Sequence, residues 1–358
     1  MPITRYADAV AGLTAFNGLA ELPDAALKLF DHARDRDMFC SRVWFETVLD
    51  CAMTAGTVPR FVVCGEPAEP VAMLPMQVQA AGPHLAALTT AYTCRFQPLC
   101  DPRADKAALG AAFAAFATYC RDWPTVRFDA LDEDAPWLPA LRDGAVSAGL
   151  VWRQFAHFGN WHESVAGLDW TRYLAARPGQ LRTTIRRRLA HAARDGGRFE
   201  LVTGDAALEP AIAAYETVYA RSWKHAEPFP LFNGALMRGI ASRGLLRLGL
   251  YWRNDRPVAA QIWIVENGQA TVLKLAHDEA AKASSPGTVL TAQMLRHLLD
   301  HEHVGQIDFG RGDDAYKRLW ASCRRQRIGV VLVNPRQSRG LAFLARHALG
   351  RARRALRG

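Results

Sequence analysis

Three short stretches of this sequence combine residue types that can do chemistry. Ser284-Ser285-Pro286-Gly287-Thr288 lies between a strand-like run and a helix with periodic apolar positions. Glycine allows close backbone approach, and the first-turn amides of such a helix point outward without partners. That end can therefore take an anion such as a diphosphate, although an ordinary helix cap uses the same residues. The run Asp308–Trp320 sets two glycines, three carboxylates, Tyr316 and Lys317 just beyond a strand, where loops often carry sites. Tyr316 can give a proton to a departing thiolate, and Asp308 or Asp313 can take one from an amine. The competing reading is a glycine loop with an aspartate capping a helix and Lys317 solvated. Arg221-Ser222-Trp223-Lys224-His225 closes a helix. Its Trp and Lys can line an acceptor pocket, or they simply complement the helix dipole.

Other signals point away from chemistry. His297, His301 and His303 stand beside Glu302, but no fourth ligand has metal-site spacing, so no metal is expected. Neither GxxxxGK[ST] nor GxGxxG occurs, which leaves ATP and NAD sites unsupported. Asn160-Trp161-His162-Glu163 reads as a seam between two halves.

The elements that must position these residues are short and mixed. Residues 1–50 read as helical, followed by strands at Arg60–Cys64, Val71–Val78, Leu85–Thr93, Val126–Ala130 and Val151–His157, with an alanine-rich helix at Lys106–Arg121. Residues 169–198 hold eight Arg and two Asp and read as a polar helix bridging two halves. The second half predicts a strand at Phe199–Val202 and helices at 207–223 and Asn233–Ser242. A meander Leu246–Trp252, Val258–Val265 and Ala270–Ala276 follows, then a helix Thr288–His301, a strand Gly305–Phe309 and a last strand Ile328–Val333. A meander feeding a helix and a returning strand fits an α+β sheet. A doubly wound nucleotide fold would alternate strands and helices throughout.

Composition bounds the partners. The chain has 358 residues, half of them hydrophobic, and a formal net charge of +9. That excess is local: residues 1–314 carry 32 basic and 35 acidic side chains, and no acidic residue follows Asp314. A protein that coats nucleic acid through general positive charge is disfavoured. No apolar run reaches 18 residues, so no transmembrane helix is expected. The N-terminus does not read as a secretory signal, and the seven scattered cysteines read as reduced thiols of a cytoplasmic protein.

Taken in order, Arg182–Arg188, Ser222-Trp223-Lys224, Asp278, Ser285-Pro286-Gly287-Thr288, Asp308 and Gly312-Asp313-Asp314 with Tyr316-Lys317 resemble the CelD-type acetyltransferases of exopolysaccharide biosynthesis. These belong to the GNAT superfamily and are related to FemAB-type transferases. The likeness covers about residues 170–335. It implies an α+β chain of two tandem GNAT-like domains, each a mixed, mostly antiparallel sheet flanked by helices. Residues 1–165 would be a degenerate N-terminal copy, 166–335 the acyltransferase domain behind its Arg-rich helix, and 336–358 a basic amphipathic tail.

The resemblance further implies acetyl-CoA or another acyl-CoA as donor, and an amine of a sugar, amino acid or envelope precursor as acceptor. Carried over by position, Lys274, Leu275 and Ala276 would meet the pantetheine. Ser285, Pro286, Gly287, Thr288, Val289 and Lys317 would meet the phosphates. Trp223, Lys224 and Asp278 would face the acceptor, and Asp308, Asp313 and Tyr316 would act as base and acid. The loop departs from the GNAT pattern in offering only Gly287 and nearby Lys282. Two other readings stand beside this one. A FemAB-like enzyme would use aminoacyl-tRNA, with the Arg helix and tail holding RNA backbone, yet no aromatics interleave those arginines. A GNAT-fold accessory protein would have no activity. In the tail, Leu341, Phe343, Leu344, Ala348, Leu349 and Leu356 fall roughly on one helical face among arginines. That pattern fits peripheral contact with an inner-membrane surface; a helix packed on the domain or a disordered basic end would share it.

Overall fold

The computed structural model describes residues 12–34, 37–79 and 84–355. In chain order the elements are β1 (Leu13–Phe16), α1 (Asp24–Arg34), α2 (Arg42–Cys51), β2 (Thr57–Glu66), β3 (Glu69–Gln79), β4 (His84–Ala87), β5 (Leu99–Cys100), α3 (Lys106–Tyr119), β6 (Thr125–Asp132), α4 (Leu138–Ser147) and β7 (Val151–Ser164). They continue with α5 (Trp170–Ala175), α6 (Gly179–Arg194), β8 (Arg198–Val202), α7 (Leu208–Ala220), α8 (Phe232–Ala241), β9 (Leu246–Arg253), β10 (Arg256–Glu266) and β11 (Gln269–His277). The last are α9 (Pro286–Asp300), β12 (Gln306–Asp308), α10 (Lys317–Trp320), β13 (Cys323–Val333) and α11 (Ser338–Ala355). Two compact units result. One comprises residues up to Phe158 together with Gln326 onward, the other Gly159–Arg325. The chain thus changes unit inside β7 and again inside β13, whereas the sequence reading divided it continuously at 165 and 335.

In the first unit β1, β2, β3 and β4 pair antiparallel, β4 pairs parallel with β6, and β6 pairs antiparallel with β13. Helix α3 packs on β2 and β3 through Phe113 and Phe116, both fully buried with Phe128 and Leu131 of β6. The sequence reads residues 1–50 as helical, of which 1–11, 35 and 36 lie outside the described residues; α1 and α2 fall in that range. Leu13–Phe16, however, is a strand lying in register with Phe61–Cys64. The expected strand Leu85–Thr93 stops at Ala87. There Gln77 spends its side-chain amide on the Ala87 carbonyl (3.0 Å) and the Thr89 carbonyl (3.3 Å), so a side chain replaces the ladder. Leu356, counted above in the tail's apolar face, lies outside the described residues.

In the second unit the order is β8-β9-β10-β11-β12, followed by residues 162–164 of β7, with β11 and β12 its parallel pair. The polar stretch 169–198 lies within this unit. It breaks at Pro178, whose ring supplies no N–H, into α5 and α6, and both pack on α9 within this unit. Leu181 and Ile185 face inward and Arg182, Arg186 and Arg187 face solvent.

Helix α9 is held to the sheet by a buried chain of hydrogen bonds. The Trp263 indole donates to Gln261 Oε1 at 2.9 Å, and Gln261 Nε2 donates to Thr291 Oγ1 at 2.7 Å. The approach is so close that a Cβ at Gly249 would lie 2.4 Å from the Met294 sulfur. A larger residue at 249 would make the Met294 side chain move aside.

The element order strand, two helices, three-strand meander, helix, strand, helix, strand occurs twice. It runs first through β1 to β7, with the two-residue β5 as an addition, and again through β8 to β13. The chain is a tandem of one mixed α+β fold, as the sequence predicts.

Candidate functional site

The second unit's parallel pair carries the decisive irregularity. β12 matches β11 only at Gln269–Thr271, with Thr271 opposite Asp308. On its other side β11 stays paired with β10 out to His277, opposite Ala259. From Val272 onward β11 therefore leaves its β12-side edge unpaired. A bulge falls at the same place: Val272 opposes Trp263 and Lys274 opposes Ile262, leaving Leu273 unmatched. Bulges re-aim side chains and end pairing, and here one opens a wedge between two parallel strands. An extended amide-bearing chain could take up the vacated edge as another strand would.

The wedge leads to the N-terminus of α9. Ser285, the residue before this helix, has left-handed backbone (φ 55°, ψ 51°), and no side chain caps the helix. Gly287 and Thr288 are partly exposed. A Cβ at Gly287 would meet only His277 Nδ1, at 3.5 Å. The open amides and the helix dipole favour an anion at this end. Lys282, the nearby cation, pairs with Glu279 at 2.7 Å on the surface.

Both arms of the wedge converge on Lys224. The charges that act on it are those of Lys274 and Glu227, with Asp314 and Lys317 from the segment after β12. Burial, aided by the charge of Lys274, pulls the Lys224 ammonium down to about 8. Lys274 Nζ sits 2.7 Å from Glu227 Oε1, with the Glu227 side chain only 9% exposed. Tyr219 lies beneath both lysines, its ring centroid 5.8 Å from Lys274 Nζ and 6.0 Å from Lys224 Nζ. Burial first, then its hydrogen bond with Glu227, pushes the Tyr219 phenol well up. Trp223 stands 50% exposed and its ring lies 4.3 Å from that of His277. Burial lowers the His277 imidazole, which favours its neutral form.

The structure sorts the residues singled out from sequence. Lys274, Leu275 and Ala276 lie on the unpaired edge, and Ser285, Pro286, Gly287, Thr288 and Val289 form the open helix end. Trp223 and Lys224 border the same wedge. Asp278 is buried and committed, accepting from the Ala280 amide at 3.0 Å and from Arg256 at 2.6 Å. It closes the strand end and does not face a ligand.

Asp308 is likewise committed. It accepts from Asn160 Nδ2 and the Gly310 amide, each at 2.7 Å, and is ion-paired with Arg325. Asp313 is exposed, and the Arg324 guanidinium, with the Trp161 indole, holds its carboxyl below the usual range. The lowered Asp313 carboxyl is a poor proton acceptor near neutral pH, and the Asp308 oxygens are taken up by their three partners. Lys317 is buried, with Nζ on the Arg311 carbonyl (2.7 Å), the Gly312 carbonyl (3.2 Å) and Asp314 (3.4 Å). It holds the glycine loop in place, and nothing in this arrangement directs its ammonium toward the α9 end. Burial, with the charge of Asp314, pushes the Tyr316 phenol well above its ordinary value, so it stays protonated. Glu227 was not picked out from sequence. Its one signal was its place three residues after Trp223-Lys224.

A parallel pair that splays apart, followed by a helix with an open N-terminus, makes a cleft suited to an extended amide-bearing chain that carries an anion. Residues 179–318 match the family model described as the acetyltransferase (GNAT) domain. That match lies within the second unit, and it supports an acyltransferase of GNAT fold there. Among solved structures the chain is similar to FemX, at 10% identity and a TM-score of 0.57, covering 86% of this chain and 95% of that one. It is similar to L-PGS from Bacillus licheniformis, at 11% identity and 0.52, covering 84% and 94%. It also matches a tandem GNAT protein from the clavulanic acid biosynthesis pathway, at 14% identity and 0.49, covering 89% and 98%. At these identities the likeness is one of fold. No curated protein matches the sequence.

Proposed function

We propose that the protein transfers an acyl group from acyl-CoA, most simply acetyl-CoA, to an amine. The observation that carries this reading is the unpaired β11 edge from Val272 to His277, running into the uncapped start of α9. The pantetheine amides would pair with that edge and the diphosphate would meet the Gly287 and Thr288 amides. The thioester would then lie beside Lys224 and Glu227. Glu227, held by Lys274 and Tyr219, is the carboxylate that takes the acceptor's proton, directly or through one water. The amine nitrogen attacks the thioester carbon, the C–S bond breaks, and the thiolate takes a proton from Tyr316. Orientation of the two reactants supplies most of the rate.

The basic surroundings favour an acceptor that also bears an anionic group, as sugar nucleotides and amino acids do. The CelD-like motif order supports a role in exopolysaccharide or envelope synthesis. Calorimetric titration with acetyl-CoA tests the donor. Saturable binding with a rise in melting temperature is expected, and no heat at millimolar donor would exclude acyl-CoA.

The likeness to FemX favours a second reading, an aminoacyl-tRNA donor, and Arg182, Arg186 and Arg187 on the solvent side of α6 give it a surface. Salt-sensitive tRNA binding, lost when these three become Gln, would replace the first reading with this one.

A further inference from the structure

We propose that α11 is a docking helix for an anionic bilayer surface. From Ser338 to Gly358 the sequence holds six arginines and no acidic residue. At 3.6 residues per turn, Leu341, Leu344, Ala345, Ala348 and Leu349 fall on one side of the helix, and Arg339 and Arg346 on the other. The apolar side is not covered by the rest of its unit: Leu341 is 54% and Leu349 61% exposed, and Ala345 and Ala348 are exposed between them. Five large hydrophobic side chains stand exposed among the described residues, and these two lie eight positions apart on this one helix.

The helix is fixed at its root. The Asn334 amide donates to the Pro124 carbonyl at 3.0 Å and its side chain to the Arg121 carbonyl at 2.6 Å. Gln337 Nε2 meets the same Arg121 carbonyl at 2.9 Å. A Cβ on Gly340 would lie 2.0 Å from the Asn334 oxygen. The root is therefore anchored while the stripe beyond it stays open.

Charge selects the occupant. A second copy would set one wholly cationic helix beside another, with no acidic residue from Ser338 to Gly358 to offset the repulsion, and a stripe of three leucines among alanines gives a shallow seam for a protein partner. An anionic bilayer satisfies both faces at once, with apolar residues at the acyl boundary and guanidinium groups among the headgroups. In the described residues no helix is long and apolar enough to cross a membrane, so the contact would be with the surface.

Co-sedimentation of the full chain with vesicles tests this. Equimolar phosphatidylglycerol and phosphatidylcholine should pellet the protein, rising salt should release it, and pure phosphatidylcholine should leave it in solution. Leu341→Gln with Leu349→Gln should weaken partitioning at least about tenfold, and Arg346→Gln about fivefold, equivalent to about 1 kcal/mol per charge. Unchanged melting curves would show the variants folded, as expected for exposed positions. Equal pelleting of wild type and the double variant, or equal binding to uncharged vesicles, would overturn the proposal. So would self-association that the double variant abolishes, in a protein that binds no vesicles.

Discussion

Lys224 and Glu227 lie three residues apart and face the same wedge, yet their neighbours give them opposite duties. Burial and Lys274 depress the ammonium of Lys224 to about 8, below its unfolded value of about 10.4. Its charge therefore burdens the fold below pH 8, and the burden is relieved as pH rises toward the unfolded value, because the unfolded chain then binds more protons. Lys224→Met should stabilise the protein at pH 7 by on the order of 1–2 kcal/mol. The gain should disappear by about pH 10.5, as read from denaturant midpoints across pH. A variant no more stable than wild type at pH 7 would contradict the burial argument. Glu227→Gln should lower kcat by about a hundredfold or more while leaving acetyl-CoA affinity within about twofold. Asp313→Asn, at an exposed carboxylate already neutralised by Arg324, should change kcat by less than about threefold. Reversal of these two outcomes would move the base to Asp313. Sequence favoured Asp308 and Asp313 because they fall in a loop just beyond a strand and match the order of the family's motifs. It could not show that Asn160 and Arg325 occupy one and Arg324 and Trp161 the other, since those partners are brought in by folding.

Among the elements, β11 and α9 decide what can bind. The meander, the following helix and its Ser-Pro-Gly-Thr start were legible, because period-two and period-3.6 patterns are local. The wedge was not legible. It depends on β12 ending its match at Thr271 and on one unmatched residue at Leu273, and register is a property of pairs of strands. The split of 169–198 was signalled by Pro178 but overridden by the continuous run of arginines. An open helix end predicts a charge effect. Gly287→Asp has room for its Cβ, and it would set a carboxylate where a diphosphate should lie. Acetyl-CoA affinity should fall at least about tenfold, while Gly287→Ser, uncharged, should lose about threefold or less. Equal losses for the two variants in calorimetry would point to crowding instead of charge.

At the scale of the whole chain, the repeated element order raises the question of whether each unit binds a donor. The counterpart of α9 in the first unit is α3, and its start is built differently. Asp105 caps it, accepting from the Ala108 amide at 2.8 Å. Asp101 stands four residues earlier, held well below the usual carboxylate range, at about 2, by Arg103. A carboxylate already uses the orphan amides and the positive end of the dipole at α3, so a second anion there would meet like charge. At α9 no side chain plays that part. One donor should therefore bind per chain, at the second unit. Calorimetry should give a stoichiometry near one, and Gly287→Asp should weaken that single event. Two binding events, or one surviving event in Gly287→Asp that is lost on substitution at Asp105, would place a donor in the first unit. Removing the cap alone, as Asp105→Ala, should cost about 1 kcal/mol of stability without creating a site. β4, the counterpart of β11, pairs with β6 at Leu85 and Ala86 and ends at Ala87, whereas β11 runs on past its own parallel pairing from Val272 to His277.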